Sequence, residues 1–196
     1  MTEWAIIAVS FHLASGLAYV IGGGVVLTQQ DRDQRFTRID GPDLAFRRFR
    51  RVAATLMIND CLSFIALCVL TGHTLRVPLG TPQMVGIGVV LVAIGAWMKT
   101  WAAVRIGFAA CYWQNFFVPS EPAPLDPPGP YRFLKNPMYT LGYLYTYGLA
   151  LVFASLPGLI LAAFDQAAIL AFYYRVEKPH FEQLSGAAFD SVVGGD

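Results

Sequence analysis

The stretch that decides the fold runs from Leu141 to Val176 and reads LGYLYTYGLALVFASLPGLILAAFDQAAILAFYYRV. A helix needs about 20 apolar residues to cross the roughly 30 Å apolar core of a bilayer, and this stretch is much longer. Pro157-Gly158 lies near its middle, and proline and glycine both interrupt helices. The stretch therefore predicts two membrane helices, about 141–156 and 158–176, that form a helical hairpin broken at Pro157-Gly158.

The rest of the chain has the same apolar bias. Of its 196 residues, 56% are hydrophobic and 14% are charged, and the mean hydropathy is +0.50. These values are far from those of soluble domains. The sequence predicts a single-domain, all-α integral membrane protein with about five transmembrane helices. The three further spans are predicted at about 4–27, 52–71 and 84–104, with loops at 28–51 and 105–140 and a tail at 177–196.

Lysine and arginine lie almost entirely on one side of the predicted membrane. The loop 28–51 alone holds seven arginines, and only Arg76 lies on the opposite side. Because positive loops stay in the cytoplasm, the N-terminus is predicted outside it and the C-terminus and the candidate site inside it. The acidic start of the first span favours a retained helix over a cleaved signal peptide. No basic surface suited to nucleic acid is present.

Two polar segments meet at the predicted cytoplasmic interface: GPYRFLKNPMYT (129–140) before the hairpin and YYRVEKPHFEQL (173–184) after it. Interfacial tyrosines and cations commonly anchor helices without binding anything. The alternative is a binding site. A helix beginning at Pro137 would offer free N–H groups to an anion such as the carboxylate of an amino-acid cofactor. Lys135 and Asn136 would add donors, and Glu177 could accept from the ammonium of that cofactor.

Polar and small residues inside the spans have two interpretations each. Asp60, beside Asn59, is costly in a membrane, so it either pairs with another helix or lines a substrate cavity. Asp165 raises the same question. The small residues of the third span, such as Gly95, serve close helix packing or a cofactor. His180 is a base, a headgroup contact or neither.

The segment from Gly129 to Phe164 resembles the small integral-membrane methyltransferases, which include the phosphatidylethanolamine N-methyltransferases and the isoprenylcysteine carboxyl methyltransferases. The run NPMY at 136–139 and the pattern S-x-x-G-L-x-L from Ser155 to Leu161 look most like the phospholipid branch. The tail is similar as well, since its acidic motif begins at Glu177. The resemblance covers roughly Gly86 to Phe189.

The resemblance implies methyl transfer from S-adenosylmethionine to a membrane lipid, above all the amine of phosphatidylethanolamine or its methylated forms. By position, the third-span glycine motif of the family falls on Ala93 and Gly95, and its acidic pair falls on Glu177 and Lys178. Two of these positions depart from the family pattern: an alanine replaces the first glycine and a lysine replaces the second acid. Tyrosines such as Tyr131 could face the sulfonium cation.

Together these arguments predict an S-adenosylmethionine-dependent methyltransferase without a metal. The predicted catalytic residues are Tyr139, Glu177 and His180. The predicted cofactor-binding residues are Ala93, Gly95, Tyr131, Lys135, Asn136, Tyr139, Glu177 and Lys178. A lipid-side opening is predicted beside Tyr143 and Tyr145. The alternatives are another lipophilic acceptor (an isoprenylcysteine carboxylate, a thiol or another amine), a non-catalytic membrane subunit on the same scaffold, and a sterol-type reductase.

Overall fold

The computed structural model describes residues 2–118, 129–134 and 136–184, with the backbone alone at Tyr131 and Arg132. These residues form helices and no strand, and four of the helices are long and apolar enough to cross a membrane. The all-α prediction is therefore confirmed. The helices are α1 (Glu3–Asp33), α2 (Arg35–Asp40), α3 (Pro42–Leu70), α4 (Thr81–Ile106), α5 (Leu141–Val152) and α6 (Leu156–Leu184).

Helix ends follow from local sequence. The Thr2 side chain accepts a hydrogen bond from the N–H of Ala5 and caps α1. Gln34 and Gly41 have positive φ angles of 48° and 77°, which interrupt the helical path between α1, α2 and α3. Because α1 continues to Asp33 and α3 begins at Pro42, most of the segment 28–51, predicted as a loop, is helical.

The C-terminal hairpin turns earlier than predicted. The chain reverses at residues 153–155, where Ala154 has a φ of 49°, and α6 begins at Leu156. The prediction of a break at Pro157-Gly158 is wrong because a proline in the first turn of a helix has no hydrogen bond to lose. Ser155 caps α6 by accepting from the N–H of Gly158 at 2.9 Å.

The first arm of this hairpin, α5, is short. At a rise of about 1.5 Å per residue its length is about 18 Å, against the roughly 30 Å of a bilayer core. It packs closely against α4, because a Cβ at Gly148 would lie 2.5 Å from the carbonyl oxygen of Gly88. A Cβ at Gly95 would likewise overlap the backbone N of Tyr145. Small residues therefore bring these two backbones into contact.

We expect Gly148→Val to destabilise the protein by about 1–3 kcal/mol or more, since the added side chain must separate α4 from α5. Thermal unfolding in detergent measures the effect. The matched control is Gly86→Val, because nothing lies within 4 Å of a Cβ at Gly86 on the exposed face of α4. Equal melting temperatures for the two variants would contradict the packing described here.

A buried polar cluster joins α1, α3 and α6 inside the membrane-spanning bundle. The fully buried ring of His12 is hydrogen-bonded through Nδ1 to Ser63 Oγ at 2.8 Å and through Nε2 to Asp165 Oδ2 at 2.9 Å. Asp60 Oδ1 lies 3.7 Å from His12 Nδ1. Next to it, Asn59 donates to Ser15 Oγ at 2.7 Å. Of the two interpretations of Asp60, these contacts favour pairing between helices.

Two helices contain a π turn, in which each residue bonds to the fifth residue before it. The π turns are Ala18–Gly22 in α1 and Tyr173–Glu177 in α6. The two helices pack against each other beside these turns, where a Cβ at Gly24 would lie 3.6 Å from the ring of Phe172. Single π turns in long helices are often found at functional sites.

Candidate active site

The centre of the candidate site is the carboxylate of Glu177, which lies in the π turn of α6 and is 6% exposed. Its Oε1 accepts a hydrogen bond from the Tyr139 hydroxyl at 2.5 Å and another from the indole N–H of Trp113 at 2.6 Å. The structure thus brings together Tyr139 and Glu177, both predicted site residues. It adds Trp113, which the sequence analysis did not single out.

Tyr139 is a donor whose proton is firmly held. Burial raises the pKa of its phenol well above the ordinary value, and the negative charge of Glu177 raises it further. The phenol therefore stays protonated at physiological pH and donates to the carboxylate.

The turn at 136–140 holds Tyr139 in place. The N–H of Tyr139 donates to the side chain and the carbonyl of Asn136, and Gln166 of α6 donates to the Tyr139 carbonyl at 3.2 Å. The prediction that Pro137 begins an α-helix with free N–H groups is wrong, because the turn pairs the N–H groups of Tyr139 and Thr140 with Asn136. Asn136, a predicted cofactor residue, caps this turn.

Trp113 lies in the loop 107–118 that follows α4. Its φ of 56° places it in the left-handed region, between two short 3-10 turns. The Trp113 ring packs edge-on against Phe172 of α6 at 5.3 Å between centroids. Gln30, which is 1% exposed in α1, donates to the carbonyl of Phe116 at 3.2 Å and fixes the loop.

His180 lies one turn beyond Glu177 on α6 and is also buried. Its Nδ1 is 2.5 Å from Asp31 Oδ1 at the end of α1, and its ring stacks on Phe116 with 3.8 Å between centroids. Two buried polar atoms near this loop, His180 Nε2 and Asn115 Nδ2, have no hydrogen-bond partner among the described residues. They are available to a ligand.

The remaining predicted cofactor residues are placed differently. Ala93 is exposed on α4, whereas Gly95 packs against α5. Lys178 is exposed and lies 3.4 Å from Glu182. Lys135 and the side chain of Tyr131 lie outside the described residues.

Tyr143 and Tyr145, predicted beside a lipid-side opening, contact a half-buried cation. The Lys99 ammonium of α4 lies 4.9 Å from the centroid of the Tyr143 ring and 5.0 Å from that of Tyr145. A tyrosine ring attracts a cation by roughly 0.5–2 kcal/mol. These contacts join α4 to α5 at the level of Gly142.

These features define the class of protein. It is a helical membrane bundle in which a buried carboxylate lies between an aromatic loop and a helical hairpin. Comparison with known families gives the identity: the phospholipid methyltransferase family matches residues 84–188, and the chain belongs to this family. The match covers α4 from Met84, the loop and the hairpin, and it leaves out Gln30 and Asp31 of α1.

Similar proteins are found among fungi. The phosphatidylethanolamine N-methyltransferase of Fusarium vanettenii is 30% identical over 140 residues, which is 69% of this chain and 14% of the relative. That of Chaetomium globosum is 28% identical over 197 residues, 91% of this chain and 20% of the relative. The chain thus spans at most a fifth of the length of these relatives. No solved structure matches it.

Proposed function

We propose that the protein transfers methyl groups from S-adenosylmethionine to the amine of a membrane phospholipid, namely phosphatidylethanolamine and its mono- and dimethylated forms. The observation that carries this proposal is the buried Glu177 carboxylate, held by two neutral donors within the region that matches the family. The names of the fungal relatives support the choice of acceptor.

The residues around Glu177 fit the amino-acid part of S-adenosylmethionine. A carboxylate that accepts from two neutral donors can pair with an ammonium group. The unpartnered amide of Asn115 is a donor suited to the carboxylate of the same ligand. Lys135 and Tyr131 remain predicted contacts. Bound there, S-adenosylmethionine would supply an electrophilic methyl carbon whose bond to sulfur breaks as the nucleophile attacks.

His180 is suited to removing the proton of the acceptor amine, which must be neutral to attack. With the Asp31 carboxylate on Nδ1, the Nδ1–H tautomer is favoured and the unpartnered Nε2 becomes an acceptor. Asp31 would thus orient the ring and His180 would take the proton. In this proposal Glu177 and Tyr139 bind the cofactor, and the N-terminus lies outside the cytoplasm with the site on the cytoplasmic side.

The test is to supply purified protein in nanodiscs with S-adenosylmethionine labelled in its methyl group, and with one acceptor at a time. We expect label in phosphatidylethanolamine and its methylated forms. Label in an isoprenylcysteine or a thiol instead would establish another acceptor. Calorimetry on the folded protein adds a second measurement: no binding up to millimolar cofactor would favour the non-catalytic subunit.

A further inference from the structure

A partly open apolar cavity of about 440 Å³ lies beside the candidate site and has Trp113 in common with it. Its walls come from the π-turn region of α1, from α2, from the first turns of α3 and from the loop. Pockets of this size commonly hold small organic groups. The family match and the contacts of Glu177 assign no ligand to this cavity.

The chemistry of the walls is specific. Five aromatic side chains line the cavity: Tyr19, Phe36, Phe49, Trp113 and Phe117. Its charged lining residues are Asp40 and Arg48, which pair with each other at 2.6 Å. Aromatic rings attract cations, and methylated ammonium groups are often bound by several rings together. A carboxylate and a guanidinium side by side complement a zwitterion.

The cavity shares a wall with the candidate site. Trp113 lines the cavity, and its indole N–H donates to Glu177 Oε1. The indole ring of Trp113 therefore separates a group in the cavity from the carboxylate proposed to bind the cofactor. Gly22, the last residue of the π turn, also lines the cavity, and nothing lies within 4 Å of a Cβ placed there.

We infer that this cavity binds the headgroup of the acceptor phospholipid, with its ammonium or methylated ammonium against the aromatic rings and its phosphate at Arg48. The inference rests on the proposed function and adds the place and the selectivity of acceptor binding. Because aromatic rings suit methylated ammonium groups, the cavity accepts the partly methylated headgroups as well as the unmethylated one.

The decisive variant is Gly22→Leu. Gly22 has φ −60° and ψ −48°, so leucine adopts its backbone without strain, and the new side chain occupies space at the cavity wall. Gly86→Leu is the matched control, because it adds the same side chain to open space on α4. Native mass spectrometry of each protein in detergent counts bound phosphatidyl-N,N-dimethylethanolamine, with phosphatidylglycerol of the same acyl chains as comparison.

We expect wild type and Gly86→Leu to retain the dimethylethanolamine lipid at least tenfold better than phosphatidylglycerol, and Gly22→Leu to lose this preference. The affinity for S-adenosylhomocysteine stays unchanged in both variants. Equal lipid retention by the two variants overturns the inference, and so does a wild type that retains both lipids equally, which would indicate an acyl-chain site. Loss of S-adenosylhomocysteine binding in Gly22→Leu, but not in Gly86→Leu, would assign the cavity to the cofactor. Failure of the proposed function shows separately, as a wild type that binds lipid but transfers no methyl group.

Discussion

Glu177→Gln is expected to weaken S-adenosylmethionine binding by about ten- to a hundredfold while leaving the protein folded. The glutamine carbonyl can still accept from Tyr139 and Trp113, so the local contacts remain and the carboxylate charge alone is lost. A hydrogen bond to a charged group contributes about 1.5–3 kcal/mol, which corresponds to that range of affinity. Calorimetry in detergent measures the dissociation constant.

Two controls separate charge from structure. Glu182→Gln removes an exposed carboxylate from the same helix, and we expect wild-type affinity from it. Tyr139→Phe removes one donor but keeps the charge of Glu177, so its effect should be smaller than that of Glu177→Gln. Wild-type binding by Glu177→Gln, with an unchanged melting temperature, would show that the cofactor does not use this carboxylate.

His12→Leu is expected to destabilise the protein by about 3 kcal/mol or more. The substitution removes the partner of Asp165 Oδ2 inside the bundle, and breaking a buried pair costs more than replacing both members. The melting temperature in detergent, followed by size-exclusion chromatography, reports the loss. The neighbouring Phe11→Leu, at a side chain that is 55% exposed, should have little effect.

The double variant His12→Leu with Asp165→Leu tests the cause. If the loss comes from an unpaired carboxylate, the double variant should be more stable than His12→Leu alone, and the coupling energy from the cycle should be clearly non-zero. Additive losses would mean that His12 and Asp165 act independently and that the contact at 2.9 Å has no energetic role.

The sequence predicts the long helices well because hydropathy over about 20 residues reflects the cost of exposing polar backbone to lipid. It predicts the end of α5 at about residue 156 rather than at Val152, since hydropathy alone does not show that Ala154 has a positive φ. The pairing of Tyr139 with Glu177 is predictable because both residues fall at the same interface. The hydrogen bond that Trp113 donates to Glu177 is not, because it depends on the fold of a loop with no periodic pattern.

His12 is a buried polar residue whose role the sequence can indicate. An ionisable residue in an apolar span is expected to have a partner, and His12 is such a residue in the first span. The argument that singles out Asp60 and Asp165 applies equally to His12 and predicts partners for it inside the bundle. The contact between His180 and Asp31 has no comparable signal, since both residues lie at helix ends far apart in sequence.

The π turn of α6 determines which face of the helix the residues after it occupy. Buried positions step by three from Ile169 to Phe172, then by five to Glu177 and by three to His180. The step of five is the place where the helix gains an extra residue. With regular α-helical spacing, a step of five would turn Glu177 and His180 about 100° further round the helix axis, so the π turn is what keeps both side chains on the buried face of α6. The site therefore depends on the number of residues in one turn as much as on their identity.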